Sequence, residues 1–312
     1  MIQTRLIPLP HGITLSCRMA GEPGRPVLMF LHGFPEAAFV WDDLLAHFAK
    51  PENGGYYCIA PNLRGFEQSS APPDAAAYRA KHLVQDISAL IAQTCTAHKG
   101  QLASLVAHDW GGAVAWSLAA TMPQLMNKLV IINSPHPGTF LRELQHSPAQ
   151  QAASAYMNFL IRPDAEALLA EDDFRRLWQF LTNTGEQQAA GTTPAWLTED
   201  VKNQYRAVWG MGLTGGCNLY RASPLRPPRP GPPHNDPAAA AVTLPPEMLT
   251  VLLPTLVLWA LNDFALPPAL LDGLEAYVPK MQLQRVAGAS HWIVHEQPDL
   301  VASAIQGFLG QT

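Results

Sequence analysis

Short apolar runs recur along the chain, and each is closed by turn-forming residues. Each run spans about 4–8 residues, is rich in Val, Ile and Leu, and does not alternate with polar residues, which is typical of strands buried on both faces of a parallel sheet. The predicted strands are residues 27–31, 56–60, 102–107, 129–132, 256–260 and 282–286. Helical stretches are predicted between them, at residues 41–48, 80–94, 112–121, 268–277 and 298–309. This alternation predicts a doubly wound α/β sheet.

The alternation is interrupted by a long segment that carries helical patterns instead. Residues 164–181 place apolar side chains close to a 3.6-residue period, which predicts a helix. Prolines crowd residues 224–246 and predict an extended, semi-rigid connector. We therefore expect a core made of residues 1–136 and 251–312. A helical cap with a proline-rich return linker, residues 137–250, is expected to interrupt it.

Composition narrows the class of protein. The 312 residues include 20 Lys and Arg against 25 Asp and Glu, a net charge of −5, and no basic run that would hold nucleic acid. No apolar stretch is long enough to cross a membrane, and the N-terminal segment does not resemble a secretory signal. The four cysteines are far apart, which favours reduced thiols over disulfides or a zinc site: Cys17, Cys58, Cys95 and Cys217. We expect a cytoplasmic protein.

The segment of residues 105–112, Leu-Val-Ala-His-Asp-Trp-Gly-Gly, carries the strongest chemical signal. A buried strand ends there in one polar residue, Asp109, flanked at two positions on either side by the small residues Ala107 and Gly111. This is the pattern of a nucleophile elbow, a tight strand-to-helix turn that holds a reactive side chain at the edge of a sheet. A carboxylate in that position can attack carbon and form an ester. Alternatively, Asp109 is simply the N-cap of the next helix.

The loop that follows the strand of residues 27–31 reads His-Gly-Phe-Pro-Glu. In hydrolases with a nucleophile elbow, one N–H of the oxyanion hole comes from such a loop and another from the residue after the nucleophile. Here these donors would be Phe34 and Trp110. The alternative is an ordinary turn rich in Gly and Pro.

A base and an acid are expected at the same edge of the sheet. His291 lies just past the last predicted strand, and Asp263 lies at the end of the strand before it. We expect Asp263 to fix the tautomer of His291, although its alternative is an ordinary turn aspartate. The order Asp109, Asp263, His291 is nucleophile, acid, base. Other histidines compete for the role of base: His32, His108, His136 and His295.

With these residues in place, the chain resembles the α/β-hydrolase superfamily and, within it, the epoxide hydrolases. The likeness covers nearly the whole chain. The matching stretches are residues 32–36, 64–66, 108–112, 133–137, 262–263 and 288–292. Ala107 and Glu67 depart from it, since glycine is common at both positions in the family. The resemblance implies an α/β-hydrolase fold with a mostly parallel sheet and an inserted helical lid, and no metal or organic cofactor.

The resemblance also implies two lid tyrosines that donate hydrogen bonds to the epoxide oxygen. Tyr156 and Tyr220 match, and Tyr220 lies in a segment, Asn-Leu-Tyr-Arg, that is similar to the family's pattern. Tyr205 is the reserve candidate. The alternative for each is an aromatic side chain packed in a helical lid.

The implied reaction has two steps: Asp109 opens the epoxide to form an ester, and water activated by His291 and Asp263 hydrolyses that ester. The expected partners are a small-molecule epoxide and water, with a homodimer left open. A haloalkane or haloacetate dehalogenase on the same scaffold is the nearest rival. Phe34 stands where haloalkane dehalogenases have Asn, and Trp110 where haloacetate dehalogenases have Arg, so the epoxide is favoured. A non-catalytic binding relative and an ordinary esterase are further alternatives.

Overall fold

The computed structural model describes residues 1–183, 193–229 and 236–311. The strands are β1 (Gln3–Pro8), β2 (Thr14–Ala20), β3 (Val27–Leu31), β4 (Tyr57–Pro61), β5 (Ser104–His108), β6 (Leu129–Ile132), β7 (Thr255–Ala260) and β8 (Met281–Val286). They form an eight-stranded sheet in the order β1-β2-β4-β3-β5-β6-β7-β8. The pairs from β4 through β8 are parallel, while β1 pairs with β2 and β2 with β4 in antiparallel fashion. The predicted mostly parallel sheet is confirmed.

The sequence did not predict the first two strands. β1 is largely exposed and carries polar residues, so it lacks the apolar run that marks a buried strand. In β2 the polar residues Ser16 and Arg18 interrupt the apolar pattern. By contrast, the strands from β3 to β7 are buried along their length, and their predicted ends agree with the structure to within two residues.

The helices are α1 (Asp42–Phe48), α2 (Ala80–Thr94), α3 (Asp109–Thr121), α4 (Pro137–His146), α5 (Pro148–Ala153), α6 (Tyr156–Leu160), α7 (Ala165–Thr182), α8 (Glu199–Gly210), α9 (Thr214–Ala222), α10 (Ile293–Glu296) and α11 (Pro298–Leu309). The predicted helix over residues 268–277 is wrong. Two short 3₁₀ turns, Pro268–Leu271 and Leu274–Ala276, take its place because Gly273 between them adopts a φ of +74°.

Helices α4 to α9 lie between β6 and β7 in the sequence and are called the inserted helices below. The predicted helix of residues 164–181 is present as α7, but its backbone leaves helical geometry between Glu171 and Phe174. The proline-rich tract is not extended throughout, since 3₁₀ turns form at Ala238–Ala241 and Pro246–Met248. Its residues 230–235 lie outside the described residues. In the described part of the chain, no helix is long and apolar enough to span a bilayer.

The register of the sheet brings the loops that follow its strands together. Ala107, two residues before Asp109, pairs with Leu31 of β3 on one side and Ile131 of β6 on the other. β6 ends with Ile132 opposite Leu258, two residues before the end of β7. The residues after β3, β5, β6, β7 and β8 therefore meet at one edge, which we call the carboxyl edge.

Candidate active site

Asp109 stands at a tight turn between β5 and α3. Its φ is +49°, in the left-handed region that residues other than glycine seldom adopt. Glycines make room for this turn, since a Cβ on Gly111 would clash with the Leu31 carbonyl oxygen and one on Gly33 would clash with the Asp109 side chain. Ser134 Oγ donates a hydrogen bond to the Asp109 carbonyl at 2.7 Å. The turn thus presents the carboxylate at the carboxyl edge.

The Asp109 carboxylate contacts the loop after β3 instead of capping its own helix. Asp109 is the first residue of α3, and His108 holds the N-cap position. Phe34 N donates to Asp109 Oδ1 at 2.7 Å. Trp110 follows in the first turn of the helix, and no hydrogen bond from its backbone N–H is found among the described residues. The structure therefore brings Phe34 onto the carboxylate and leaves the N–H of Trp110 beside it.

His291 and Asp263 form a buried pair at the same edge. His291 Nδ1 donates to Asp263 Oδ2 at 2.6 Å. The other carboxylate oxygen, Oδ1, accepts the backbone N–H groups of Ala265 at 2.8 Å and Leu266 at 3.0 Å. The second ring nitrogen, Nε2, is then directed to the elbow, 3.7 Å from Asp109 Oδ2. The structure brings all three predicted groups together.

Asn133 holds Asp263 in place and was missed in the sequence as a site residue. It follows β6 directly, with a φ of +38°. Asn133 Nδ2 donates to Asp263 Oδ2 at 2.8 Å, and its Oδ1 accepts Ala260 N at 2.9 Å. A buried polar residue at the end of a central strand was the available signal, because such residues collect at the carboxyl edge.

The charge around His291 favours its protonated form. Burial of the ring lowers its pKa, but the carboxylates of Asp263, Asp109 and Glu36 outweigh this and raise the pKa to about 9. The Asp263 contribution is the largest of the three. A change in the charge of Asp109 would therefore change the pKa of His291.

Two tyrosines from the inserted helices lie in a cluster of aromatic rings next to Trp110, the residue that follows Asp109. The Tyr220 ring lies 5.1 Å from Trp110 and 5.3 Å from Phe34, centroid to centroid. The Tyr156 ring lies 6.0 Å from that of Tyr220 and 5.6 Å from Phe180. Burial raises the pKa of both tyrosines above the ordinary value, and the negative charge of Asp109 raises them further. Both hydroxyls therefore keep their protons.

Tyr205, the reserve candidate, has its hydroxyl engaged elsewhere. It donates to Glu36 Oε1 at 3.1 Å and lies 2.9 Å from His295 Nε2. Glu36 is buried, and its Oε2 accepts from His108 Nδ1 at 3.1 Å. Burial would raise the pKa of Glu36, but the hydrogen bonds and charges of His108 and His295 hold it well below its ordinary value. The sequence placed Glu36 in a matching stretch without giving it a role.

The four competing histidines are held by other partners. His32 Nε2 accepts Leu63 N at 3.0 Å, and His136 Nε2 donates to the Leu249 carbonyl at 2.8 Å. Burial lowers the pKa of both rings to about 4, so they stay neutral. His108 Nε2 donates to the His291 carbonyl at 2.9 Å, and His295 binds Glu36. Across the described ranges, no group of three or more His, Cys, Asp or Glu side chains is placed to hold a metal ion.

A cleft of about 560 Å³ opens beside Tyr156. Phe159, Phe180 and Phe264 supply apolar wall, and the rim carries polar side chains such as Arg176. Phe264 also packs near the base, with its ring centroid 6.4 Å from that of His291. The cleft therefore combines aromatic walls with the side chain of Tyr156.

The comparisons with known proteins agree with this architecture. The family model for the alpha/beta hydrolase fold matches residues 26–298. A Bacillus subtilis AB hydrolase superfamily protein, YfhM, is 34% identical over 96% of this chain and 95% of its own. Human epoxide hydrolase 4 is 31% identical over 96% of this chain and 76% of its own length.

Solved structures point the same way. A crystal structure of a Bacillus megaterium epoxide hydrolase in complex with an inhibitor superposes with a TM-score of 0.84, at 28% identity, covering 98% of this chain and all of the other. An epoxide hydrolase from metagenomes of hot environments has a TM-score of 0.79 at 34% identity, with both chains fully covered. The chain belongs to the α/β-hydrolase superfamily and, within it, to the epoxide hydrolase family, which confirms the predicted resemblance.

Proposed function

We propose that this chain opens epoxides to vicinal diols through a covalent ester on Asp109. The observation that supports it best is the line of three groups at the carboxyl edge, in which His291 lies 2.6 Å from Asp263 and 3.7 Å from Asp109. The proposal also makes the inserted helices a cap that contributes two protonated tyrosines, Tyr156 and Tyr220, whose rings pack together next to Trp110.

In the first step, Asp109 Oδ2 attacks one carbon of the epoxide ring. The carbon–oxygen bond of that carbon breaks, and the electron pair stays on the ring oxygen. Tyr156 and Tyr220 donate hydrogen bonds to this oxygen as its negative charge develops, and a positioned proton donor of this kind is worth about 10²–10⁴ in rate. Their raised pKa values support the role, because both hydroxyls are protonated when the alkoxide forms.

In the second step, water attacks the carbonyl carbon of the Asp109 ester, and His291 Nε2 takes its proton. Asp109 Oδ1, which accepts Phe34 N at 2.7 Å, becomes the oxyanion. One such donor contributes about 10²–10³ in rate. Trp110 N is the second proposed donor, since a helix N-terminus directs its free N–H groups toward negative charge. The carbon–oxygen bond of the ester then breaks, and the leaving oxygen takes the hydroxyl proton of the tetrahedral intermediate. The proton held by His291 neutralises the alkoxide formed in the first step, so the diol leaves and the Asp109 carboxylate is restored.

Formation of the ester also prepares the base. The Asp109 carboxylate is one of the charges that raise the pKa of His291 to about 9. An ester carries no charge, so this contribution disappears and the pKa of His291 falls. A larger fraction of the imidazole is then neutral at the stage where it must accept a proton.

The experiment that tests the reaction type offers the purified chain an epoxide, a haloalkane and a haloacetate. We expect a diol from styrene oxide and no halide release. Asp109→Asn serves as the control and should yield no diol. Halide release without diol formation would indicate a dehalogenase. Binding without turnover that is unchanged in His291→Gln would indicate a non-catalytic relative.

A further inference from the structure

Two side chains on one face of helix α8 form hydrogen bonds with the loop that carries the Phe34 amide. Tyr205 and Trp209 are four residues apart and therefore lie on the same side of the helix. Trp209 Nε1 donates to the Pro35 carbonyl at 2.7 Å, and the Tyr205 hydroxyl donates to Glu36 Oε1 at 3.1 Å. Both side chains are buried. Two successive residues of the loop are thus held by two successive turns of one inserted helix.

These two hydrogen bonds lie next to Phe34 N, the proposed donor of the oxyanion hole. Pro35 is bonded directly to Phe34. A displacement of the Pro35 carbonyl therefore also moves the Phe34 N–H that contacts Asp109 Oδ1. Trp209 is the one partner of that carbonyl among the described residues. A displacement of about 1 Å at a catalytic group costs on the order of 10² in rate.

We infer that Trp209 and Tyr205 are positioning residues that set the Phe34 N–H and so couple the inserted helices to hydrolysis of the ester. The inference rests on the proposed function. Trp209 acts through its indole N–H, which is distinct from the packing of its ring against Trp178 at 4.5 Å and Tyr205 at 5.1 Å.

The two reaction steps respond differently to loss of this donor. In the first step the Asp109 carboxylate loses its negative charge, so a hydrogen bond to it weakens along the reaction. In the second step the ester carbonyl becomes an oxyanion, so the same hydrogen bond strengthens. A displaced Phe34 N–H therefore slows ester hydrolysis selectively, whereas general damage to the site slows both steps.

The test compares Trp209→Phe with Trp178→Phe. Trp178 belongs to the same aromatic cluster, but its indole N–H donates to the Asp173 carbonyl inside the inserted helices, at 2.6 Å. Single-turnover reactions with styrene oxide are quenched, and the ester is followed by mass spectrometry. In Trp209→Phe we expect ester hydrolysis to slow by at least about tenfold. The upper limit is the factor of about 10²–10³ that loss of a whole donor costs. Ester formation should stay within about twofold, and Trp178→Phe should change neither step.

Amide hydrogen exchange provides a readout that does not need the reaction. The peptide that contains Phe34 should exchange faster in Trp209→Phe and, to a smaller extent, in Tyr205→Phe than in wild type or Trp178→Phe. If Trp209→Phe does not fold, the exchange of this peptide in Tyr205→Phe tests the inference instead. Unchanged exchange in the folded variants would overturn the inference, as would equal slowing of both steps. Failure of wild type to form an ester would instead overturn the proposed function.

Discussion

The loops of the carboxyl edge and the inserted helices hold their functional side chains in different ways. The Asp263 carboxylate has four hydrogen-bonding partners, Asn133, Ala265, Leu266 and His291. The two tyrosines are instead surrounded by aromatic rings at centroid distances of 5.1–6.0 Å. Directional polar bonds fix the proposed acid–base groups, while ring packing surrounds the proposed proton donors.

This difference suggests that the two regions tolerate change to different degrees. Hydrogen bonds weaken steeply with distance and angle, so loss of one member of the polar line should disable a whole step. Ring contacts are less directional, and two hydroxyls share one task. We therefore expect single substitutions in the loops to abolish most of the rate of one step, and single substitutions of the tyrosines in the inserted helices to reduce the rate only in part.

The largest effect is expected for His291→Gln. Without the base, ester hydrolysis should slow by about 10³-fold or more, since general-base assistance alone is worth 10²–10⁴. Ester formation should continue, so the peptide that contains Asp109 gains the mass of the epoxide. The double variant Asp109→Asn/His291→Gln is the matched control and should show no adduct. Absence of adduct in His291→Gln with every epoxide tested would contradict the scheme.

The tyrosines should show a graded response. Each of Tyr156→Phe and Tyr220→Phe should slow ester formation by about 10–100-fold, and the double variant should approach the full 10²–10⁴ of a proton donor. Tyr277→Phe, whose ring stacks on His136, is the control and should leave the rate unchanged. Stopped-flow or rapid-quench measurement of the first step gives the comparison. A single variant as slow as the double would show that the hydroxyls do not share the task.

A smaller effect is expected at Asn133, which reaches the substrate only through Asp263 and His291. Asn133→Ala leaves Asp263 with one hydrogen bond fewer, at a cost of about 1–3 kcal/mol if it is expressed in the hydrolytic step. We expect slower hydrolysis with ester formation nearly unchanged, measured in the same single-turnover assay. Asn127→Ala, at an exposed position, is the control. Equal losses in both steps would indicate that Asn133 supports the fold only.

The smallest and most indirect effect concerns stability. The pKa of His291 is raised to about 9 in the folded chain, against 6.5 for an ordinary histidine. Protonated His291 therefore stabilises the fold fully below pH 6.5, and this contribution is lost as the pH rises through 9. At about 1.4 kcal/mol per pKa unit, the loss is at most about 3.5 kcal/mol. Denaturant unfolding of wild type and His291→Gln should show a stability difference that shrinks from pH 6.5 to pH 9, and a constant difference would contradict it.

Much of the fold could be predicted because its signals are local. The strands from β3 to β7 are apolar runs closed by turns, and the elbow around Asp109 is a short pattern of small residues. Exposed β1 lacks such a run. The break in α7 near Asp172 was missed because its apolar period continues through the break.

The acid–base residues of the candidate site could be predicted because they follow strands, whereas Tyr156 and Tyr220 on the inserted helices were predicted only through the family resemblance. Asp109, Asp263 and His291 follow strands, and the structure brings them together. The cluster on Glu36 joins residues 259 positions apart in sequence, as the bond to His295 shows. The hydrogen bond from Trp209 to the Pro35 carbonyl likewise depends on how the inserted helices pack against the loop after β3. Such contacts follow from tertiary packing, which no local pattern encodes.

The most direct test of the covalent scheme is a single turnover with excess enzyme in water enriched in ¹⁸O. If Asp109 attacks the epoxide, the first diol released carries no label, and digestion finds one labelled oxygen in the peptide that contains Asp109. Label in the first diol and none in Asp109 would mean that water opens the ring directly, and the proposed ester would not exist.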